Sequence, residues 1–156
     1  MHALITPADA LDAADDAVLA RDAYTVAPLG SIFKLYVLLA VADAVQADDL
    51  TWDTKLTVSP DNRSLPSGEL QDAPDGTQVT VLEAATKMIE ISDNTATDML
   101  IHEVGRPAVE AAVAKAGHHD PAAMTPFVTT RELFQIGRDD PAYLVTWENG
   151  GQDERY

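Results

Sequence analysis

Ser31-Ile32-Phe33-Lys34 sets a hydroxyl and an amine three residues apart. On a helix, residues at that spacing share a face. The serine follows Gly30 and opens the apolar stretch SIFKLYVLLAVADAV. In a first helical turn it would lie among free backbone N–H groups and at the positive end of the helix dipole, where negative charge is favoured. A lysine in apolar surroundings holds its proton less tightly and can act as a base near neutral pH. The pair therefore fits a serine nucleophile, Ser31, with Lys34 as its activator within hydrogen-bond reach. A serine N-cap followed by a lysine that snorkels to the surface uses the same residues, and S-x-x-K alone does not decide between the two.

Ser92-Asp93-Asn94 lies 61 residues after Ser31, at the end of a helical pattern. A serine there can pass a proton from Lys34 to a leaving nitrogen, and an asparagine amide can hold a substrate carbonyl or amide. The tripeptide also reads as a helix-ending turn of residues that bond their own backbone. Two such motifs in suitable contexts are a stronger signal than either one.

The elements that must position these groups are mostly helical. The stretch from Ser31 is apolar almost all round and predicts a helix buried in the middle of a bundle. DDLTWDTKLTV predicts a turn and a short strand, and SPDNRSLPSGELQDAPDG a long surface loop of a kind that is often functional. Thr80 and Glu83 form a capping box at the start of a helix with Val81, Ala84, Ala85, Met88 and Ile89 at helical spacing. A short helix runs from Thr95 to Val104 with Gly105 as its cap; another starts at Pro107 and closes at Gly117. Thr129 and Glu132 make a second capping box. Before Pro28, the chain reads either as a helix opened by Thr6 and Pro7 or, over Ala17 to Val26, as an extended segment. The tail from Asn149 is polar and predicted to fray. No repeat or domain boundary is visible, so residues 1–156 are read as one domain with about five helices.

GSIFKLYVL, LPSGELQDAPDGTQVTVLEAATKMIEISDNTATDML and TPFVTTRELF, together spanning Pro28 to Ile136, resemble the class A β-lactamase-like serine hydrolases. That group shares its fold with penicillin-binding proteins and has S-x-x-K and S-D-N as signatures. The resemblance implies that Ser31 is acylated, that Lys34 takes part in proton transfer, that Ser92 relays a proton to the leaving group and that Asn94 binds substrate. It also implies that the Ser31 backbone N–H is half of an oxyanion hole. It implies no cofactor and no metal, and a small-molecule partner: a β-lactam, a peptide or an ester.

Two departures from the family's pattern shape the expectation. No K-T-G or K-S-G is present, and the chain stops about where the family's later strands begin. The implied fold is mainly α: the helical subdomain of the β-lactamase/transpeptidase-like α+β fold, with most of its five-stranded sheet missing. Second, the family's water-activating glutamate has no counterpart before Thr129 in HHDPAAMTPFVTTRE. The nearest is Glu132, whose T-x-x-E context marks it as a capping partner. An esterase, a peptidase or a slow penicillin-acylating enzyme then fits as well as a β-lactamase. A truncated, inactive remnant or half of a split hydrolase, self-associating through the surface the sheet should cover, is the alternative. A helical interaction domain unrelated to hydrolases is a third.

Composition narrows the rest. With Lys+Arg 10 against Asp+Glu 26 the net charge is −16, which argues against nucleic-acid or acidic-membrane partners. It fits either adaptation to high salt, where screening relieves self-repulsion, or simple solubility. No apolar run is long enough to span a bilayer. The segment MHALITPADA lacks the basic start and apolar core of a signal peptide, so the compartment stays open although relatives usually work outside the cytoplasm. There is no cysteine, which excludes disulfides and thiolate chemistry. His118-His119-Asp120 lacks a further ligand at metal spacing, and His102-Glu103 lacks a second histidine. The stretch from Asp72 to Glu83 has Thr77 where a calcium loop needs glycine. Trp52 and Trp147 read as packing anchors.

Overall fold

The structure, a computed structural model, describes residues 3–5, 19–21 and 28–138, with positions 142, 145, 147, 149 and 150. It divides into two units, Met1–Gly30 and Ser31–Tyr156. In the first, β1 (Ala3–Ile5) and β2 (Leu19–Arg21) pair antiparallel with Leu4 opposite Ala20. The extended alternative is thus the one adopted at Leu19–Arg21; the helix opened by Thr6 falls outside the described residues, as does the tail beyond Gly150.

The second unit is mainly helical, built from α1 (Lys34–Gln46), α2 (Val81–Glu90), α3 (Asn94–Val104), α4 (Arg106–Lys115) and α5 (Thr130–Arg138). A short antiparallel ribbon joins β3 (Lys55–Thr57) to β4 (Gln78–Thr80), with Leu56 opposite Val79 and both buried. β3 falls in the segment predicted as strand. β4 has only three residues directly before a helix, too few to show alternation.

α2 begins as its sequence dictates. The Glu83 N–H donates to Thr80 Oγ1 at 3.0 Å, and the Thr80 N–H donates to Glu83 Oε2 at 2.6 Å. The stripe Val81, Ala84, Ala85 and Met88 is buried, while Ile89 is exposed. Gly105, at φ 81°, separates α3 from α4.

The centre of the unit is not the helix that hydropathy selects. α1 packs against α3 and α4 through Val37, Ala40 and Val41, but Leu35 is 54% exposed. The expectation that α1 is enclosed on all sides is therefore corrected: its apolar residues outnumber the partners offered to them. The central element is α3, whose residues from Asn94 to Ile101 are all buried. Four of those eight, Asn94, Thr95, Thr97 and Asp98, are polar, and what lets them lie inside is the set of hydrogen bonds around the site.

The segment from Ser59 to Gly76 is a loop, but it is pinned rather than merely superficial. The Arg63 guanidinium donates to the carbonyls of Leu70, Gln71 and Ala73 and pairs with Asp75 at 2.6 Å. Ser64 and Leu70 are buried. No described helix is long and apolar enough to cross a membrane.

Candidate active site

Ser31 lies in a 3-10 turn, Gly30–Phe33, that runs directly into α1 at Lys34. Ser31 is exposed, whereas Lys34 is 2% exposed. The snorkelling alternative thus does not describe Lys34: its ammonium turns inward to three oxygens.

Those oxygens come from the turn between α2 and α3. Lys34 Nζ donates to the Ser92 carbonyl at 2.7 Å, to Ser92 Oγ at 2.9 Å and to Asn94 Oδ1 at 2.8 Å. Ser92 has φ 57°, a left-handed conformation that a side-chain-bearing residue adopts at some cost. At that turn its carbonyl and its hydroxyl both reach the amine. Ser92 Oγ in turn donates to Ser31 Oγ at 3.0 Å.

The expected direct bond between Lys34 and the Ser31 hydroxyl is therefore replaced by a path through Ser92. The physical reason is valence. An ammonium has three donors, and the Ser92 carbonyl, the Ser92 hydroxyl and the Asn94 amide use them.

The acceptor set also suits a neutral amine. Two of the three acceptors, the Ser92 carbonyl and Asn94 Oδ1, can only accept. The third, a hydroxyl, can accept or donate. A neutral Lys34 would keep its two bonds to the obligate acceptors and receive the Ser92 hydroxyl proton on its lone pair, freeing Ser92 Oγ to accept from Ser31. Desolvation pulls the Lys34 pKa below the usual lysine value, against the opposing pull of the Asp93 and Asp98 carboxylates. No carboxylate bonds Lys34 directly, so its proton is held by dipoles and by charges at a distance.

Asp93, the middle residue of the tripeptide, is fully buried and holds the turn. Its Oδ2 accepts from the N–H groups of Glu69 at 2.7 Å and Leu70 at 2.9 Å, and its Oδ1 accepts from Ala96 at 2.9 Å as the cap of α3. Gly68 lies so close that a Cβ there would stand 2.2 Å from Asp93 Cγ. The sequence marks Asp93 as part of the motif but gives no sign of this contact with the loop.

Asn94 is 5% exposed, and both ends of its amide are bonded within the protein: Oδ1 to Lys34, and Nδ2 to the Leu65 carbonyl at 3.3 Å. Four further groups, Ser64, Thr95, Asp98 and Thr130, pack behind it in one buried polar cluster that the sequence reading did not single out. A signal was available, because Asp98 follows Asn94 by one helical turn.

Glu132 behaves as the capping pattern predicts. It accepts from the Thr129 N–H at 2.8 Å and pairs with Arg106. Desolvation pushes its carboxyl up, but those bonds outweigh it and hold the pKa below the usual value. His118 packs edge-on against Tyr36 and 4.7 Å from His119, and its Nδ1 accepts from the Asp120 N–H at 3.1 Å. Trp52 packs at the margin of the core.

Comparison with known proteins gives a consistent direction. A sequence profile described as "Beta-lactamase enzyme family" matches residues 9–141. No curated protein matches. Among solved structures, PBP-A is similar at 30% identity and TM-score 0.57, over 72% of this chain and 48% of that one. A β-lactamase from Sphaerobacter thermophilus DSM 20745 is similar at 26% identity and TM-score 0.65, over 75% and 42%. A PBP-A point mutant, solved as its acyl-enzyme complex with penicillin G, is similar at 29% identity and TM-score 0.60, over 78% and 51%. The chain thus spans about half the length of the solved structures it resembles.

Proposed function

The chain belongs to the β-lactamase enzyme family of serine hydrolases, and from that premise we propose that it forms an acyl-enzyme on Ser31 with a β-lactam or a related amide or ester. The observation that carries this is the continuous path Ser31 Oγ, Ser92 Oγ, Lys34 Nζ, with contacts of 3.0 and 2.9 Å. Ser31 Oγ attacks the substrate carbonyl and a C–O bond forms. The Ser31 proton passes to Ser92 Oγ as the Ser92 proton passes to neutral Lys34. The carbonyl C–N bond of an amide, or C–O bond of an ester, then breaks, and the proton returns from Lys34 through Ser92 to the leaving atom. The Ser31 N–H supplies one oxyanion donor. Asn94 acts on the amine through Oδ1, and Nδ2, which gives one N–H to the Leu65 carbonyl, keeps its second N–H for substrate.

Hydrolysis of the acyl-enzyme needs an activated water. The one carboxylate that the sequence offers for that role, Glu132, is held by Thr129 and Arg106. The acyl-enzyme is accordingly long-lived, in line with the penicillin G acyl-enzyme of the PBP-A mutant. A second reading, a helical half that assembles with other chains and turns nothing over, is favoured by Ile32 and Leu35, which are 61% and 54% exposed beside Ser31.

A fluorescent penicillin separates them. The hydrolase reading predicts a covalent label that survives denaturation and disappears in Ser31→Ala. A label retained by that variant, or none on the parent protein, would sink it.

A further inference from the structure

Behind Asn94, a chain of buried hydrogen bonds runs from α3 to α5 and back through the loop before Leu65. Asp98, Thr130, Ser64, Thr95 and Asn94 are each no more than 5% exposed. Asp98 Oδ1 accepts the Thr130 N–H and the Thr130 hydroxyl, both at 2.7 Å, and Oδ2 accepts the Arg131 N–H at 3.0 Å. Asp98 thus fixes the first turn of α5 from another helix, beside the capping box that holds Thr129.

Thr130 Oγ1 has one proton and two acceptors near it, Asp98 Oδ1 at 2.7 Å and the Asn94 carbonyl at 3.2 Å. The Asp98 oxygen, the nearer of the two and already the acceptor of the Thr130 N–H, takes it. Ser64 Oγ, 2.7 Å from Thr130 Oγ1, must then be the donor in that pair. Ser64 is clamped from the other side as well: its N–H donates to Thr95 Oγ1 at 3.0 Å, and Thr95 Oγ1 donates to the Ser64 carbonyl at 3.1 Å. The next carbonyl, that of Leu65, accepts from Asn94 Nδ2. That bond and the one from Lys34 to Oδ1 together set which way the Asn94 amide faces. Turned over, the amide would point N–H donors at the Lys34 ammonium.

We propose that Thr130, working through Ser64 and held by Asp98, is a positioning residue that fixes the Leu65 carbonyl and so keeps Asn94 Oδ1 on Lys34. Thr130, Ser64 and Asp98 lie outside both S-x-x-K and S-D-N. The proposal deepens the hydrolase reading and rests on it only for its effect on acylation; the geometry it claims is independent of turnover.

The test is therefore made on Lys34 itself, by NMR titration of its Cε and Nζ signals in the full chain. Thr130→Val keeps the shape, leaves every charge in place and removes the hydroxyl. Freed from its fixed carbonyl, the Asn94 amide no longer accepts reliably from the ammonium. The Lys34 midpoint then falls further, by about one pH unit, the scale of one lost bond to a charged group. Thr130→Ser restores the parent midpoint, and Ser64→Ala lowers it in the same direction. If Thr130→Val does not fold, Ser64→Ala decides the matter. An unchanged Lys34 midpoint in the folded variants overturns the proposal, whatever their stability. Penicillin labelling of the same samples separates the two ideas: a shifted midpoint in proteins that never label upholds the network and removes the hydrolase reading.

Discussion

α1 and α3 reverse the simplest relation between sequence and burial. α1, KLYVLLAVADAVQ, is the most apolar helix, yet Leu35 stands half in solvent and its deepest side chain next to the site is a lysine. α3 opens NTATD, and every one of those residues is buried. What separates the two is supply of partners. Apolar area gains only where another apolar surface meets it. A polar group lies inside at little cost once each of its donors and acceptors is satisfied. α3 meets that condition through the loop on one side and α5 on the other, and the result is a rigid wall of polar groups behind Lys34.

Substitutions along the two helices sharpen the contrast. The largest effect belongs to Asp93→Ala. It strips three backbone N–H groups of their buried acceptor, with an expected loss of about 4 kcal/mol, read from urea unfolding. Thr97→Val, also on α3, removes a fully buried hydroxyl that donates to the Asp93 carbonyl at 2.7 Å. That carbonyl keeps the Thr97 N–H at 3.1 Å, so the loss should be near 1 kcal/mol. Leu35→Ser on α1 should change stability by less than about 0.5 kcal/mol, since the side chain is already half in water. Were Leu35→Ser to cost as much as Asp93→Ala, the comparison would fail and α1 would be the buried centre.

Much of this is legible in the sequence, for physical reasons. Capping boxes at Thr80 and Thr129 are local and use residues three apart, so they can be read directly. Ser31, Lys34, Ser92 and Asn94 can be picked out because their motifs are short. The contacts that join them cannot be read in that way. The bond from Lys34 to Ser92 spans 58 residues, and the turn of φ 57° that permits it has no glycine to announce it. Gly68 against Asp93, and Ser64 against Thr130, are likewise pairings of distant segments. The central place of α3 was hidden for a different cause: its burial depends on hydrogen-bond partners that hydropathy does not count.

Lys34 and Lys87 give the same contrast in titration. Burial lowers the first, whereas a 2.6 Å bond to Glu69 raises the second at the surface. In the proposed mechanism the relay is closed below the Lys34 pKa, where the amine is protonated, and open above it, where the neutral amine can accept from Ser92. The most direct test of the account is the rate at which a penicillin acylates Ser31 as a function of pH, followed by intact-protein mass. The rate should rise with pH and level off below the ordinary lysine value of 10.5, and Lys34→Met should abolish the rise. A rate that is flat with pH, or that climbs until an ordinary surface lysine would titrate, would contradict the relay through Ser92.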